Sequence, residues 1–206
     1  MCPPFRVYGV LHTEEGFART PRAVAEAVSE AVLYLSKNTS GGRVRFRTDA
    51  PTVTVKYTLP APPRVVPHMP IVASGGIALY ADGRMAGVMS PEGYDCRELA
   101  GTFSLPRGEG LREIEIYMPL YDGVKDMYVG VPDGYEILPP RPYTYEAPVV
   151  LYGSSITQGG CAGRPGNDYA AHLERRLDAN YHNLGFYRMA DVLEPYAREL
   201  LEKSKG

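Results

Sequence analysis

Val149-Val150-Leu151-Tyr152-Gly153-Ser154-Ser155-Ile156-Thr157-Gln158-Gly159-Gly160 carries the residue types for covalent chemistry. An apolar run breaks at Gly-Ser-Ser, small turn-forming residues follow, and helical spacing resumes about a dozen residues later. A buried parallel strand delivers a side chain to the rim of an α/β sheet in this way. Ligands of open α/β sheets bind there, outside the carboxyl ends of the strands. A serine at that position is a candidate nucleophile, and its hydroxyl needs a base at neutral pH. The chain offers His12, His68, His172 and His182. His12, in an N-terminal segment, and His172, on a helical stretch, read as surface residues. Arg164 follows the serine turn closely enough to hold a polar group of a substrate, or to serve packing or an ion pair. Cys161 reads as a small buried residue, since no neighbouring base marks a reactive thiol.

The elements that must position these residues fall into two groups. Residues 20–38 read as one helix: Thr20 as N-cap, Pro21 at the first helical position, and Val24, Val28, Val32 and Leu35 at helical spacing. The pattern then changes to period two. Residues 43–48, 52–57, 77–80, 112–118 and 126–131 alternate as half-buried strands, and Asp82-Gly83 signals a hairpin. Short strands with turn signals between them predict a β-sandwich, jelly-roll-like, over residues 1–140. Leu138-Pro139-Pro140-Arg141-Pro142 reads as a stiff linker. Residues 148–206 then show a strand (148–152), a helix (about 168–178), an apolar stretch (181–186) and a final amphipathic helix with Met189, Val192, Leu193, Tyr196, Leu200 and Leu201 on one side.

Composition bounds the partners. A net charge of -2, from 22 basic and 24 acidic residues, supplies no single-sign field for nucleic acid or an anionic membrane. No apolar run approaches a membrane span, and the N-terminus shows no signal-peptide pattern. The three cysteines, Cys2, Cys96 and Cys161, have no metal-site or redox-pair spacing, so a cytoplasmic protein with reduced thiols is expected.

Gly153-Ser154-Ser155-Ile156 resembles the first signature block of the SGNH/GDSL serine esterases. The likeness extends through Thr157-Gln158-Gly159-Gly160-Cys161 and Arg164-Pro165-Gly166 to a subgroup that places a β-sandwich before the hydrolase domain. Further upstream, residues 38–49, His68-Met69-Pro70 and Gly76-Ile77-Ala78-Leu79-Tyr80 are similar to that subgroup's N-terminal signatures, with Ala78 where Asp is usual. The resemblance implies a flavodoxin-like α/β hydrolase fold and hydrolysis of small esters, acetylated sugars among them, without metal or cofactor. It makes Ser155 the nucleophile and Gly185 an oxyanion-hole donor, and it sets the His68 loop beside the cleft.

The chain departs from the family pattern after this block. Only 58 residues follow Pro148, whereas a complete doubly wound domain takes roughly 150. Leu184-Gly185-Phe186 is entered as the family's second block is and left as its last block is, so the segment between is read as lost. The Gly-x-Asn-Asp block and the base-bearing His go with it; Gly166-Asn167-Asp168 imitates the former but reads as a helix N-cap. His182 is the nearest substitute for the base, in a slipped register and before its strand's apolar part. Two parallel strands and two helices leave a sheet edge that invites self-association. The reading is therefore an impaired serine esterase acting on a small-molecule or carbohydrate ester. A non-catalytic carbohydrate-binding module and an inactive gene remnant remain open beside it.

Overall fold

The computed structural model describes residues 3–65, 67–108 and 110–187. The predicted final helix lies outside them. The chain begins with β1 (Arg6–Tyr8), the hairpin β2 (Leu11–Thr13) and β3 (Gly16–Ala18), and helices α1 (Arg22–Val28) and α2 (Glu30–Ser36). It continues through β4 (Arg43–Thr48), β5 (Thr52–Thr58), α3 (Ile71–Gly75), β6 (Ile77–Ala81), β7 (Arg84–Met89), β8 (Glu98–Ser104), β9 (Arg112–Tyr117), β10 (Asp126–Gly130) and β11 (Ile137–Leu138). Last come β12 (Tyr145–Gly153), α4 (Ser155–Gln158), α5 (Tyr169–Leu177) and β13 (Ala179–Gly185).

Two antiparallel sheets face each other across one apolar core. The larger runs β1-β4-β9-β6-β7 with β11 also on β4; the smaller runs β10-β5-β8. Alternation explains the packing: Val44, Phe46, Ile114, Ile116, Ile77 and Leu79 point from the larger sheet toward Val53, Val55, Tyr57, Leu99 and Phe103 of the smaller. Burying a side chain of this size stabilises the fold by about 1.5–3 kcal/mol.

β12 and β13 form a separate two-stranded parallel sheet, in register from Val149↔Tyr181 to Gly153↔Gly185. Its faces are covered in a way the sequence reading does not anticipate. Ala25 and Val32 of α1 and α2 pack with Leu184, Phe186 and Val150, so helices read as part of the sandwich roof the second sheet instead. α5 lies on the other side, with Ala171 against Ala78, Tyr80 and Tyr117 of the larger sheet. The small side chain of Ala78, where the family signature has Asp, sits in this contact fully buried.

Two local expectations need correction. The single helix over 20–38 is two helices, because Ser29 is extended (φ -175°, ψ 161°) and its hydroxyl accepts from Val32 N to cap the second. Serine competes with the helix ladder for backbone groups in this way. Pro21, not Thr20, holds the N-cap position of the first. The alternation of β4 leaves open what covers its arginine face. Arg43 and Arg45 are buried, because β13, α5 and the Tyr143 loop cover that side of the sheet.

Among the described residues no helix is long and apolar enough to cross a membrane. The edge of β12 away from β13 pairs with no other described strand, and Val149 and Tyr152 of β12 are exposed, as are Leu173 and Leu177 of α5.

Candidate active site

β12 ends at Gly153 because the next turn of chain folds back onto it. A Cβ on Gly153 would come within 2.3 Å of Thr157 Oγ1. Ser154 caps α4, its Oγ accepting from Ile156 N at 3.4 Å. Ser155 is the first residue of α4 and half-buried, and its hydroxyl makes no hydrogen bond among the described residues. The turn closes through Gly160 N, which donates to Ser155 O at 2.7 Å, with Gly159 in the left-handed region at φ 107°. Cys161 follows at φ 64° with an exposed thiol, which corrects its reading as a buried residue.

The turn is held from beneath by buried amides. Asn183 Nδ2 donates to Thr157 O at 2.7 Å and to Ser40 Oγ at 3.3 Å, and Asn183 Oδ1 accepts from Gly185 N at 2.8 Å. Ser40 Oγ donates in turn to Gln158 O. Gln158 Nε2 donates to Leu120 O at 3.1 Å, and its Oε1 accepts from Tyr187 N at 3.2 Å. These groups join a sandwich loop, α4 and the end of β13 into one unit. Sequence reasoning missed Asn183, Gln158 and Ser40. Gln158 and Ser40 lie within the signatures at 157–161 and 38–49, but nothing in the sequence marks them, or Asn183, as partners.

Gly185 stands beside Gly153 at the strand tip, adjacent to α4. Its N–H is committed to Asn183 Oδ1, so it is not free to receive an oxyanion in this arrangement. His182 is not brought to Ser155. It pairs with Val150, three residues before Gly185 and thus about 10 Å back along the strand. Its Nε2 lies 2.7 Å from Arg19 O. Burial is the main cause that pulls its pKa down to about 4, so the ring is neutral at neutral pH.

Arg19 was missed entirely. It is fully buried and meets no carboxylate among the described residues. Its guanidinium donates to Asn38 O at 2.8 Å, Leu35 O at 2.9 Å, Gly185 O and Asn183 O, and stacks 4.0 Å from the Phe186 ring centroid. Burial lowers its pKa to about 9, so it remains a cation at neutral pH. It clamps the end of β13 to the α2 layer.

Arg164 is half-buried on the loop between α4 and α5, with its Nε shielded and without a hydrogen-bond partner among the described residues. His68 is exposed, and the neighbouring Met69 packs on Leu120, Tyr121 and Ala162, which sets the His68 loop against the loop after α4. Asp168 caps α5, Oδ1 accepting from Ala171 N at 3.0 Å. His172 is exposed and lies beside Asn167. His12 stacks on Phe17 at 4.9 Å on the β2–β3 hairpin. A cavity of about 510 Å³ lies elsewhere, between that hairpin and α2, lined by residues such as Phe17, Leu33 and Val124 and by none of the serine turn.

Residues 4–137 match the family model described as the N-terminus of SGNH-hydrolase-type esterases (GxDLY), and residues 146–203 match the GDSL-like lipase/acylhydrolase family. Among solved structures, a Bacteroides ovatus protein described as a GDSL-like lipase is 31% identical, with TM-score 0.77, over 87% of this chain and 53% of that one. The salicylyl-acyltransferase SsfX3 of a tetracycline biosynthetic pathway is 22% identical, with TM-score 0.67, over 94% and 54%. A family two carbohydrate esterase from Cellvibrio japonicus is 10% identical, with TM-score 0.57, over 90% and 50%. The chain thus spans about half the length of the solved structures it matches. No curated protein matches by sequence. Two family models, met in the order and at the places where the two sheets and the serine turn lie, show that the chain belongs to the SGNH-type esterases that carry a GxDLY N-terminal domain.

Proposed function

We propose that this chain performs serine-dependent acyl chemistry on small esters, carbohydrate acetates among them, and does so weakly. The reading divides the chain into a jelly-roll-like sandwich, residues 1–140, and a shortened flavodoxin-like hydrolase part, residues 148–206. One observation carries it: Ser155 Oγ, without a hydrogen bond among the described residues, stands half-buried at the carboxyl end of a parallel strand, on a turn held by buried amides.

In that reaction Ser155 Oγ attacks the ester carbonyl carbon, its proton leaves with the alcohol, and water then hydrolyses the acyl-serine. The step needs a base for the hydroxyl proton. His182 does not meet that need in this arrangement, being about 10 Å back from the strand tip, held on Arg19 O and made a weak base by burial. Activation by solvent hydroxide remains. Loss of triad members in serine hydrolases leaves residual catalysis from binding and the oxyanion hole, and here the Gly185 N–H is already engaged. Arg164 and His68 are assigned to the substrate side of the site, on loops next to the turn. The similarity to solved carbohydrate esterases and an acyltransferase supports the substrate class.

Aryl-acetate hydrolysis by the purified chain tests this. A low rate that rises with pH and disappears in Ser155→Ala is expected, with His182→Gln close to the parent. A rate unchanged in Ser155→Ala would overturn the assignment of the nucleophile, and one lost in His182→Gln would reinstate that histidine as the base. Complete absence of turnover, together with oligosaccharide binding detected by calorimetry, would favour a non-catalytic binding module.

A further inference from the structure

The face of the larger sheet that meets α5 and β13 buries an unusual set of side chains. Glu115 of β9 and Glu174 of α5 are both buried. Between them stands Tyr117, whose Oη is 2.7 Å from Glu115 Oε2 and in hydrogen-bond contact with Glu174 Oε2. A phenol has one proton and can donate to one carboxylate only. The second contact needs another hydrogen, so one of the two carboxyl groups must carry it.

The surrounding groups do not remove that need. From β4, Arg43 gives its hydrogen bonds to neutral acceptors: Tyr143 Oη at 2.7 Å, Gly41 O at 3.0 Å, Tyr181 O at 3.1 Å and Asn180 Oδ1 at 3.1 Å. Its Nε stays 3.8 Å from both Glu115 and Glu174, beyond a hydrogen bond. Arg45 reaches Glu115 only at 3.6 Å. Tyr143, from the loop before β12, contacts Glu115 Oε1 at 3.2 Å, and Tyr8 of β1 packs edge-on against it. On α5, Arg175 lies over the Tyr80 and Tyr117 rings. On β13, the buried Tyr181 lies beneath Arg43. Glu174 has no hydrogen-bond donor among the described residues other than Tyr117.

We propose that the seam between the sandwich and the α5–β13 layer stores one proton, shared along Glu115–Tyr117–Glu174, and that its release to solvent loosens the layer bearing Ser155. On release, a carboxylic O–H gives its proton to water or buffer. Two carboxylates then face one phenolic hydrogen in a site with little access to water. Like charges at such short range do not both stay ionised at low cost. This inference stands whether or not Ser155 proves catalytic.

The direction of the pH effect follows from the same geometry. Burial first, then Glu174, push the Glu115 carboxyl up to about 7, against the arginines that pull it down. A carboxyl whose native pKa exceeds its unfolded value gives stability that is complete below the unfolded pKa. That stability is lost as pH rises through the native pKa. The seam is therefore tightest in mild acid and weakest above about pH 7.

Amide hydrogen exchange of the α5 segment, corrected for intrinsic rates, tests the proposal on the full chain. Between about pH 5 and about pH 8 the opening equilibrium of the parent should rise by up to about a hundredfold. Glu115→Gln and Glu174→Gln each replace the shared proton by a fixed amide hydrogen, so both should lose most of that rise, the remainder belonging to the buried cap Asp168, whose carboxyl burial also pushes up. The carboxylic-acid C=O infrared band at about pH 6, to which Asp122 also contributes because burial pushes its carboxyl up to about 6, should be weaker in either variant than in the parent. A flat profile in the parent, or an unchanged slope and band in the variants, would overturn the proposal. If one variant does not fold, the other decides.

Discussion

Replacing Arg19 by methionine should weaken the fold by about 3–5 kcal/mol, a large part of the stability of a domain this size. Its guanidinium is the shared donor for Asn38 O, Leu35 O, Gly185 O and Asn183 O, which belong to two layers far apart in sequence. Methionine fills the volume over Phe186 but donates nothing, and each buried acceptor left without a partner costs about 1–3 kcal/mol. Backbone carbonyls that keep a strand partner lose less, which holds the sum below the full total. Arg19→Lys should fall between the two, since one ammonium cannot span the fork geometry of four carbonyls. Urea unfolding, with the slope compared across the three proteins, is the measurement. A methionine variant within about 1 kcal/mol of the parent would mean that the clamp contributes packing alone.

Gly185→Ala should disturb the site more selectively and at comparable cost. A Cβ there would fall 2.2 Å from Gln158 N and 2.5 Å from Thr157 C. Both are backbone atoms of α4, so no side-chain rotation relieves the overlap. α4 must move away from β13, breaking the Asn183 Nδ2 bond to Thr157 O and shifting Ser155 with it. A loss of about 2–4 kcal/mol is expected, in the range for overpacking compounded by an orphaned buried amide. Labelling of Ser155 by a fluorophosphonate, read by mass spectrometry, should fall in parallel. Gly130→Ala is the control: nothing lies within 4 Å of its added Cβ, and its stability and labelling should match the parent. Parent-like labelling in Gly185→Ala would show that the strand tip does not position the serine.

The strands were legible because alternation is local. Residues 43–48, predicted from Arg-Val-Arg-Phe-Arg-Thr, are β4 residue for residue, and the Asp82-Gly83 turn joins β6 to β7. β8, at Glu98–Ser104, was not foreseen, because Gly101 interrupts its alternation and Ala100 is exposed. The break at Ser29 was hidden for a different reason. Serine is tolerated within a helix, and the backbone kink there serves the contact of Ala25 and Val32 with Leu184 and Phe186, residues far along the chain. Around the serine, the turn chemistry was readable in Gly153 and Gly159-Gly160. The amide scaffold of Asn183, Gln158 and Ser40 was not, since it joins three segments whose separation in sequence has no local signature.

What the amino-acid order determined alone is what nearest neighbours decide: the period-two strands, the cap at Asp168, and a serine at the end of an apolar run. Tertiary structure alone decided which face each element turns inward. At Arg43 and Arg45, alternation reports two faces without saying what covers the second. Only the arrival of α5 and β13 made that face an interior. The same packing sealed His182 against Arg19 O and enclosed two carboxylates around one phenol. Desolvation depends on every atom within several ångströms, and those atoms come from segments more than a hundred residues apart.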